Sequence, residues 1–407
     1  MSVEVHSLGC RLNLSESEEL RSLLAGNGDL VIINSCAVTA EAVRQTRQTI
    51  RRARAARPDA RLLVTGCAAE VEREALCAMP EVDGLVANAA KLDRQAYSPS
   101  PSEEGLGRGL LPHAPPPAPP LIGRGEHTRA FVQVQNGCDH ACTFCVIPQG
   151  RGPSRSLPVA AVLADVARHL ECGAPEVVLT GVDLTSWGAD LPFAPRLGAL
   201  VSAILGTFPE LARLRLSSLD GVEIDDLLFD LITADERVMP HVHLSLQHGD
   251  DLMLKRMKRR HSRKDAATLV ERMKARRPGI AIGADLIAGF PTEDEAAHQA
   301  NLSIIAELGV VHGHVFPYSP RPGTPAARMP QVVRTTIKAR AAQLRAAAAS
   351  QHRIWMESHI GQPLAVLAER DGTGHASDFA RVRLPTSAQP GTVISVTPRA
   401  LSEGLLT

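Results

Sequence analysis

Residues 131–145 read FVQVQNGCDHACTFC: an alternating apolar run, an Asn136-Gly137 break, then Cys138, Cys142 and Cys145 in a C-x3-C-x2-C loop. The alternation predicts a β-strand, and Asn-Gly is a turn signal that ends it. Further apolar runs at 177–180, 213–217, 241–246, 281–287 and 313–317 alternate with helical stretches such as 159–171 and 293–308. Strand–helix alternation predicts a parallel sheet. Six such units between Thr128 and Pro317 predict a partial, open (β/α)6 barrel. Its chemistry belongs on the loops after the strands, and the cysteine loop is the first of these.

The same alternation holds upstream. Strands are expected at 3–5, 30–33 and 62–65, with helices at 15–24 and 40–57. Each strand is followed by a cysteine: Cys10, Cys36 and Cys67. In open α/β sheets ligands gather beyond the carboxyl ends of the strands, so the three can converge at one edge. Residues 97–125 are dominated by Pro, Gly and Ser and predict a linker. A helix is expected at 335–357, and short β runs at 364–367, 380–384 and 393–397 predict a small, OB-like β domain. The fold class is therefore α/β, with an N-terminal parallel domain (1–96), a linker (97–125), the barrel domain (126–357) and a C-terminal β domain (358–407).

Composition bounds the partners. Of 407 residues, 44% are hydrophobic and 22% charged, which is ordinary for a globular chain with a sizeable core. Basic and acidic residues number 44 each, so a uniformly basic nucleic-acid surface is excluded while a local basic patch is not. No apolar run reaches the roughly 18 residues of a membrane span. The opening MSVEVHSLGC lacks the basic and apolar regions of a signal peptide, and a cytoplasmic location is expected. Disulfides are rare in that compartment, so the eight cysteines read as ligands.

Three thiolates within eight residues, Cys138, Cys142 and Cys145, can wrap one face of a cubic [4Fe–4S] cluster. With no fourth cysteine nearby, one iron is left to hold the amino and carboxylate groups of S-adenosylmethionine (SAM). The cofactor then carries the radical chemistry and the protein positions it. A structural zinc site would want four protein ligands, often two C-x2-C knuckles, and only one C-x2-C is present, with His140 awkwardly inside the loop. Cys10, Cys36 and Cys67 can be buried structural thiols or a second three-thiolate site; their shared strand-end position favours the second. Cys77 and Cys172, beside helices without partners, are assigned to packing.

The chain resembles the radical-SAM methylthiotransferases, in the branch that modifies threonylcarbamoyladenosine in tRNA. The resemblance runs nearly end to end, through SLGCRLNLSESE, VIINSCAVTAEAVRQTRQTIRRA, LLVTGCAAE, VQNGCDHACTFCVIPQGRGPSRS, GADLIAGFPTE and HVFPYSPRPGTPAARMP. The stretches around Cys36 and from Lys255 to Arg263 favour this branch over sisters that act on isopentenyladenosine in tRNA or on a ribosomal-protein aspartate. The resemblance implies three domains, the last a TRAM domain for RNA, and two [4Fe–4S] clusters. It implies replacement of the C2 hydrogen of the modified adenosine beside the anticodon by a methylthio group. SAM serves as radical source and methyl donor, and the N-terminal cluster delivers sulfur. An electron donor of flavodoxin or ferredoxin type and a sulfur donor system are implied partners. This sequence departs from the pattern at His248, where Ser is usual, at Trp187, often Tyr, and in its short C-terminal segment. From another class, a zinc-stabilised RNA-binding protein without catalysis would carry one zinc and no iron.

Gly181 and Asp183 follow the second barrel strand, a loop that the resemblance turns toward SAM; a plain turn with a helix cap uses the same residues. Ser217 and Ser218, Gln247 and Asp285 lie at or near later strand ends and are candidates for SAM or substrate contacts. Arg151 and Arg155 follow the cysteine loop, where a guanidinium could bind the SAM carboxylate or an RNA phosphate, or simply be solvated. Two basic runs could track RNA or be solvated faces: Arg44, Arg47, Arg51 and Arg54 on one helix face, and Lys255 to Lys264. Phe316 is expected in the core, although an aromatic at that strand end could stack on a base.

Overall fold

The computed structural model describes residues 3–98 and 128–407, so all of the expected linker except Tyr97 and Ser98 lies outside the described residues. The chain divides into two compact units. The first takes the described residues up to Ser98 together with Val146–Pro153; the second takes those from Thr128 to Cys145 and Ser154–Thr407.

In the first unit β1 (Val3–Ser7), β2 (Leu30–Ser35), β3 (Arg61–Gly66) and β4 (Gly84–Leu85) pair in parallel in that order. Between them run α1 (Arg11–Leu23), α2 (Ala40–Ala56) and the short α3 (Cys67–Val71). β2 reads LVIINS and is buried at every position, as a central strand covered on both faces must be. Its successive residues point to opposite faces. Ile33 therefore packs with Ile50 and Val64, while Ile32 packs with Leu20 and Leu63. α2 starts where the Thr39 hydroxyl accepts the Ala42 N–H at 3.0 Å, an N-cap.

The segment Val146–Pro153, with its helix α4 (Ile147–Arg151), was expected in the barrel domain but belongs to the first unit. The reason is Arg151. Its guanidinium is buried and donates to Glu16 Oε1 at 2.8 Å and Asn13 Oδ1 at 2.6 Å, both on α1. A cation removed from water needs such partners, and they fix where its segment goes.

The second unit carries the barrel. β5 (Ala130–Gln133), β6 (Val177–Thr180) and β7 (Leu214–Leu216) form one parallel sheet. β8 (Ser218–Leu219), β9 (His241–Gln247), β10 (Ala281–Ala288) and β11 (Val310–Pro317) form another. β7 and β8 are the single third strand of the sequence reading, interrupted at Ser217, so the six βα units are present. The covering helices are α5 (Val159–Glu171), α6 (Leu197–Thr207), α7 (Asp226–Ala234), α8 (Arg263–Arg276), α9 (Glu295–Leu308) and α10 (Arg334–Glu357). Val132, Leu179, Leu216, Leu244 and Leu286, one from each of five strands, share a core with α5, α6 and α9.

The C-terminal sheet has six strands, β12 (Leu364–Ala368), β13 (Thr373–Ala376), β14 (Arg381–Arg383), β15 (Val393–Val396), β16 (Leu401–Ser402) and β17 (Leu405–Leu406). It belongs to the same unit as the barrel. Buried Glu176 accepts from Arg213 Nε at 2.8 Å and Arg215 Nε at 2.9 Å. Arg213 reaches on to the Ala365 carbonyl at 3.4 Å and Arg215 to the Ser377 carbonyl at 3.2 Å. The Arg215 guanidinium lies 4.8 Å from the centroid of the Phe379 ring, a cation–π contact. No helix among the described residues is long and apolar enough to cross a membrane.

Candidate metal centres

Cys138, Cys142 and Cys145 sit on the loop that leaves β5, all half-buried. Gln135 anchors this loop. Its side-chain amide donates to the Gly137 carbonyl at 2.8 Å and its Oε1 accepts the Asp183 N–H at 2.9 Å, which ties the loop after β6 to the cysteines. Asp183 Oδ2 then stands 3.7 Å from Cys138 Sγ, 2.6 Å from His140 Nε2 and 2.7 Å from the Ser186 hydroxyl. Burial, then the Asp183 carboxylate, pushes the Cys138 thiol up to about 12. Hydrogen bonds that His140 donates to Asp183 and Glu223 raise it to about 10. Arg259 is the other side of this balance: it lies 3.7 Å from Cys142 Sγ and donates to Asp220 Oδ2 at 2.9 Å.

The second trio closes at the ends of β1, β2 and β3. Cys36 and Cys67 are buried and Cys10 exposed. Gly9 has φ +95°, and a Cβ there would lie 2.6 Å from Cys36 Cβ, so only glycine lets the Cys10 loop come this close. Burial, and after it the nearby Cys10 and Cys67 thiols, lift Cys36 to about 11; burial also raises Cys67. Asn13 links the pieces: its Oδ1 is 3.7 Å from Cys10 Sγ, and its amide donates to Leu8 O at 2.6 Å and Ser35 O at 3.0 Å. Behind it Glu16 accepts from both Arg151 and Lys91, and all three side chains are buried.

Of the residues expected to touch cofactor, the structure brings Gly181 and Asp183 to the Cys138 loop through Gln135. Ser217 interrupts the third barrel strand, and its buried hydroxyl has no hydrogen-bond partner among the described residues. Gln247 ends β9 with φ +69°, a strained left-handed conformation of the kind found at functional sites. Arg151 is not with these residues but on Glu16, as described. Asp285 has its carboxylate between His243 Nε2 at 3.0 Å and His314 Nδ1 at 3.3 Å.

Two of the three departures from the family pattern, His248 and Trp187, have hydrogen-bond partners in the structure. Buried His248 accepts the Asp250 N–H on Nδ1 at 3.0 Å, so its Nε2–H donates to Glu293 at 3.1 Å. Buried Trp187 donates its indole N–H to the Leu157 carbonyl at 2.9 Å. Phe316 is exposed, contrary to the expectation that it packs in the core, and the buried ring is Tyr318, packed edge-on against Phe290 with centroids 5.6 Å apart. Cys77 is exposed rather than packed. In the basic runs Arg44, Arg47, Arg51 and Arg54 all pair with acidic neighbours, and Arg259, Arg260 and Arg263 do the same. Lys255, Lys258, Arg260 and Lys264 are the exposed cations of the second run, and of these Arg260 is paired.

A (β/α)6 barrel whose first strand ends in three thiols is the architecture of radical-SAM proteins, and residues 132–300 match the Radical SAM superfamily. Residues 2–87 match the Uncharacterized protein family UPF0004. The chain belongs to the radical-SAM methylthiotransferases. It is 42% identical over 406 residues, 99% of its length and 96% of the relative's, to the threonylcarbamoyladenosine tRNA methylthiotransferase MtaB of Rickettsia prowazekii. It is 32% identical over 90% of its length, and 86% of the relative's, to the tRNA-2-methylthio-N(6)-dimethylallyladenosine synthase of Paracoccus denitrificans. Among solved structures, the radical SAM methyltransferase TsrM of Kitasatospora setae superposes with a TM-score of 0.52 at 17% identity, over 74% of this chain and 63% of that one. Radical-SAM proteins work with SAM and a [4Fe–4S] cluster.

Proposed function

We propose that this enzyme replaces the C2 hydrogen of N6-threonylcarbamoyladenosine, next to the anticodon of tRNA, with a methylthio group. The observation that carries the reaction class is the pair of three-cysteine donor sets, one at strand ends of each unit. The substrate follows from the likeness: identity is higher to the threonylcarbamoyladenosine enzyme, 42%, than to the dimethylallyladenosine enzyme, 32%.

Each donor set fits a cluster. Burial and the neighbouring thiols raise Cys36, burial raises Cys67, burial and Asp183 raise Cys138, and neither set includes a fourth cysteine. When bound, the cluster on Cys138, Cys142 and Cys145 supplies the electron that cleaves SAM, and a second on Cys10, Cys36 and Cys67 supplies sulfur. The residues around them do the positioning. Gln135 holds the loop closed on Asp183, and Gly181, Asp183, Ser217 and Gln247 bind SAM. Arg259 offsets negative charge beside Cys142, as Arg151 and Lys91 do beside the other trio. Exposed Phe316 stacks on a base, while Lys255, Lys258 and Lys264 take phosphates and the C-terminal sheet serves as the TRAM-like RNA-binding part. A flavodoxin- or ferredoxin-like donor supplies electrons, and a separate sulfur donor system restores the second cluster.

Nucleoside mass spectrometry of tRNA from cells with and without the gene tests this. Deletion is expected to remove 2-methylthio-N6-threonylcarbamoyladenosine and to leave its unthiolated precursor. Loss of the methylthio-isopentenyl nucleoside instead would move the substrate to the sister branch.

A further inference from the structure

Three adjacent barrel strands carry a group of residues that the proposed reaction does not use. β9 places His241 and His243 on one face, β11 places His312 and His314 on one face, and β10 runs between them with Asp285. The register sets Gly283 opposite both His243 and His312, and Asp285 opposite His314. Gly283 is what allows the arrangement: a Cβ there would lie 2.3 Å from His243 Nδ1. Without one, the imidazole lies over β10 and reaches the next residue of its face.

That residue is Asp285. His243 Nε2 is 3.0 Å and His314 Nδ1 3.3 Å from the same carboxylate oxygen, and the two rings are 4.5 Å apart at their centroids. His314 also lines a cavity of about 290 Å³ with His312, Arg345 and His352. His312 Nε2 is shut off from solvent and has no hydrogen-bond partner among the described residues. Two imidazoles converging on one carboxylate oxygen are an arrangement that a metal ion collects.

The geometry points to a divalent metal site formed by His243 Nε2, Asp285 Oδ1 and His314 Nδ1, with zinc as its ion. Bonds of about 2.0–2.2 Å to a shared tetrahedral ion place donors roughly 3.3–3.6 Å apart. The separation from His314 to Asp285, 3.3 Å, falls there, that from His243, 3.0 Å, needs a shift of a few tenths of an ångström, and all three donor atoms lie within 4.8 Å of one another. Two imidazoles and a carboxylate are a donor set zinc takes readily, and three protein ligands leave one position for water or a substrate oxygen. None of the donors is a thiol, so the site is chemically distinct from both cysteine trios and does not rest on the function proposed above.

The test uses anaerobically purified enzyme with its clusters loaded, dialysed against zinc chloride with a weak chelator. Elemental analysis is expected to find one zinc per chain beside the iron. X-ray absorption at the zinc edge is expected to show nitrogen and oxygen neighbours at about 2.0–2.1 Å and no sulfur at about 2.3 Å. His314→Ala changes a largely exposed side chain, 59% accessible, and should lower zinc affinity at least tenfold with iron content unchanged. Asp285→Asn should do the same. No zinc in the loaded enzyme, a sulfur shell around it, or full zinc in the folded His314→Ala variant would overturn the site.

Discussion

Glu16 shows how much of the proposed N-terminal cluster site lies outside the cysteines themselves. It is buried on α1, accepts from Arg151 at 2.8 and 3.1 Å, and is paired with Lys91. Burial alone would raise its carboxyl, but the two cations hold it below its usual range. Asn13, one helical turn before it, accepts from the same Arg151 and reaches Cys10. Glu16→Gln would leave two buried cations facing a neutral amide. Breaking a buried pair in this way costs about 3–5 kcal/mol. The variant is expected to unfold at clearly lower urea concentration and to lose iron from the N-terminal trio first. A Glu16→Gln protein with unchanged midpoint and iron content would show that this triad carries neither stability nor cluster retention.

Glu176, immediately before β6, does comparable work between elements: it holds the two β7 arginines that meet the C-terminal sheet. Burial would raise its carboxyl, and Arg215 and Arg213 override it, bringing Glu176 down to about 2. A folded-state value below the unfolded one contributes stability that is complete above the unfolded carboxylate range and is lost as pH falls through about 2. The size is on the order of 3 kcal/mol. Urea midpoints of the wild type should exceed those of Glu176→Gln by a constant margin from pH 7 to about 5, and the margin should shrink below about 4. A margin that persists undiminished to pH 3, or that is absent at pH 7, would contradict this account.

That ion-pair layer could not be read from the sequence, because a Glu and two Arg residues around strands read as solvent-facing. The barrel strands were legible because β5, β6, β9, β10 and β11 are apolar or alternating runs between helical stretches. β4, β13, β16 and β17 are two to four residues long, too short to show a period. Cys138, Cys142 and Cys145 stood out by their spacing, and Cys10, Cys36 and Cys67 by their place after predicted strands. Gln135, Asn13, Glu16 and Arg259 were not, since each acts through space: Arg259 and Cys142 are 117 residues apart. Phe316 was misjudged because the chain leaves β11 at Pro317, and the ring that turns inward is Tyr318 in the segment after it.

The whole molecule is two units, each with its own core and its own three-cysteine set. If each set holds a separate cluster, the two should be separable by one substitution. Cys36 lies at the end of β2 in the first unit and is 6% exposed, so Cys36→Ala removes a ligand without leaving a large void. Such a protein should lose roughly half of its iron, because each site is expected to hold one four-iron cluster. It should still cleave SAM to 5′-deoxyadenosine when reduced, since that step draws on the barrel cluster alone. It should form no methylthiolated nucleoside, since the sulfur source is gone. Circular dichroism must show a folded chain, because losing a metal centre can also destabilise the domain around it. Full iron content and normal methylthiolation in a folded Cys36→Ala protein would remove Cys10, Cys36 and Cys67 from the reaction. Loss of SAM cleavage in the same folded protein would instead show that the barrel cluster does not work independently of the N-terminal one.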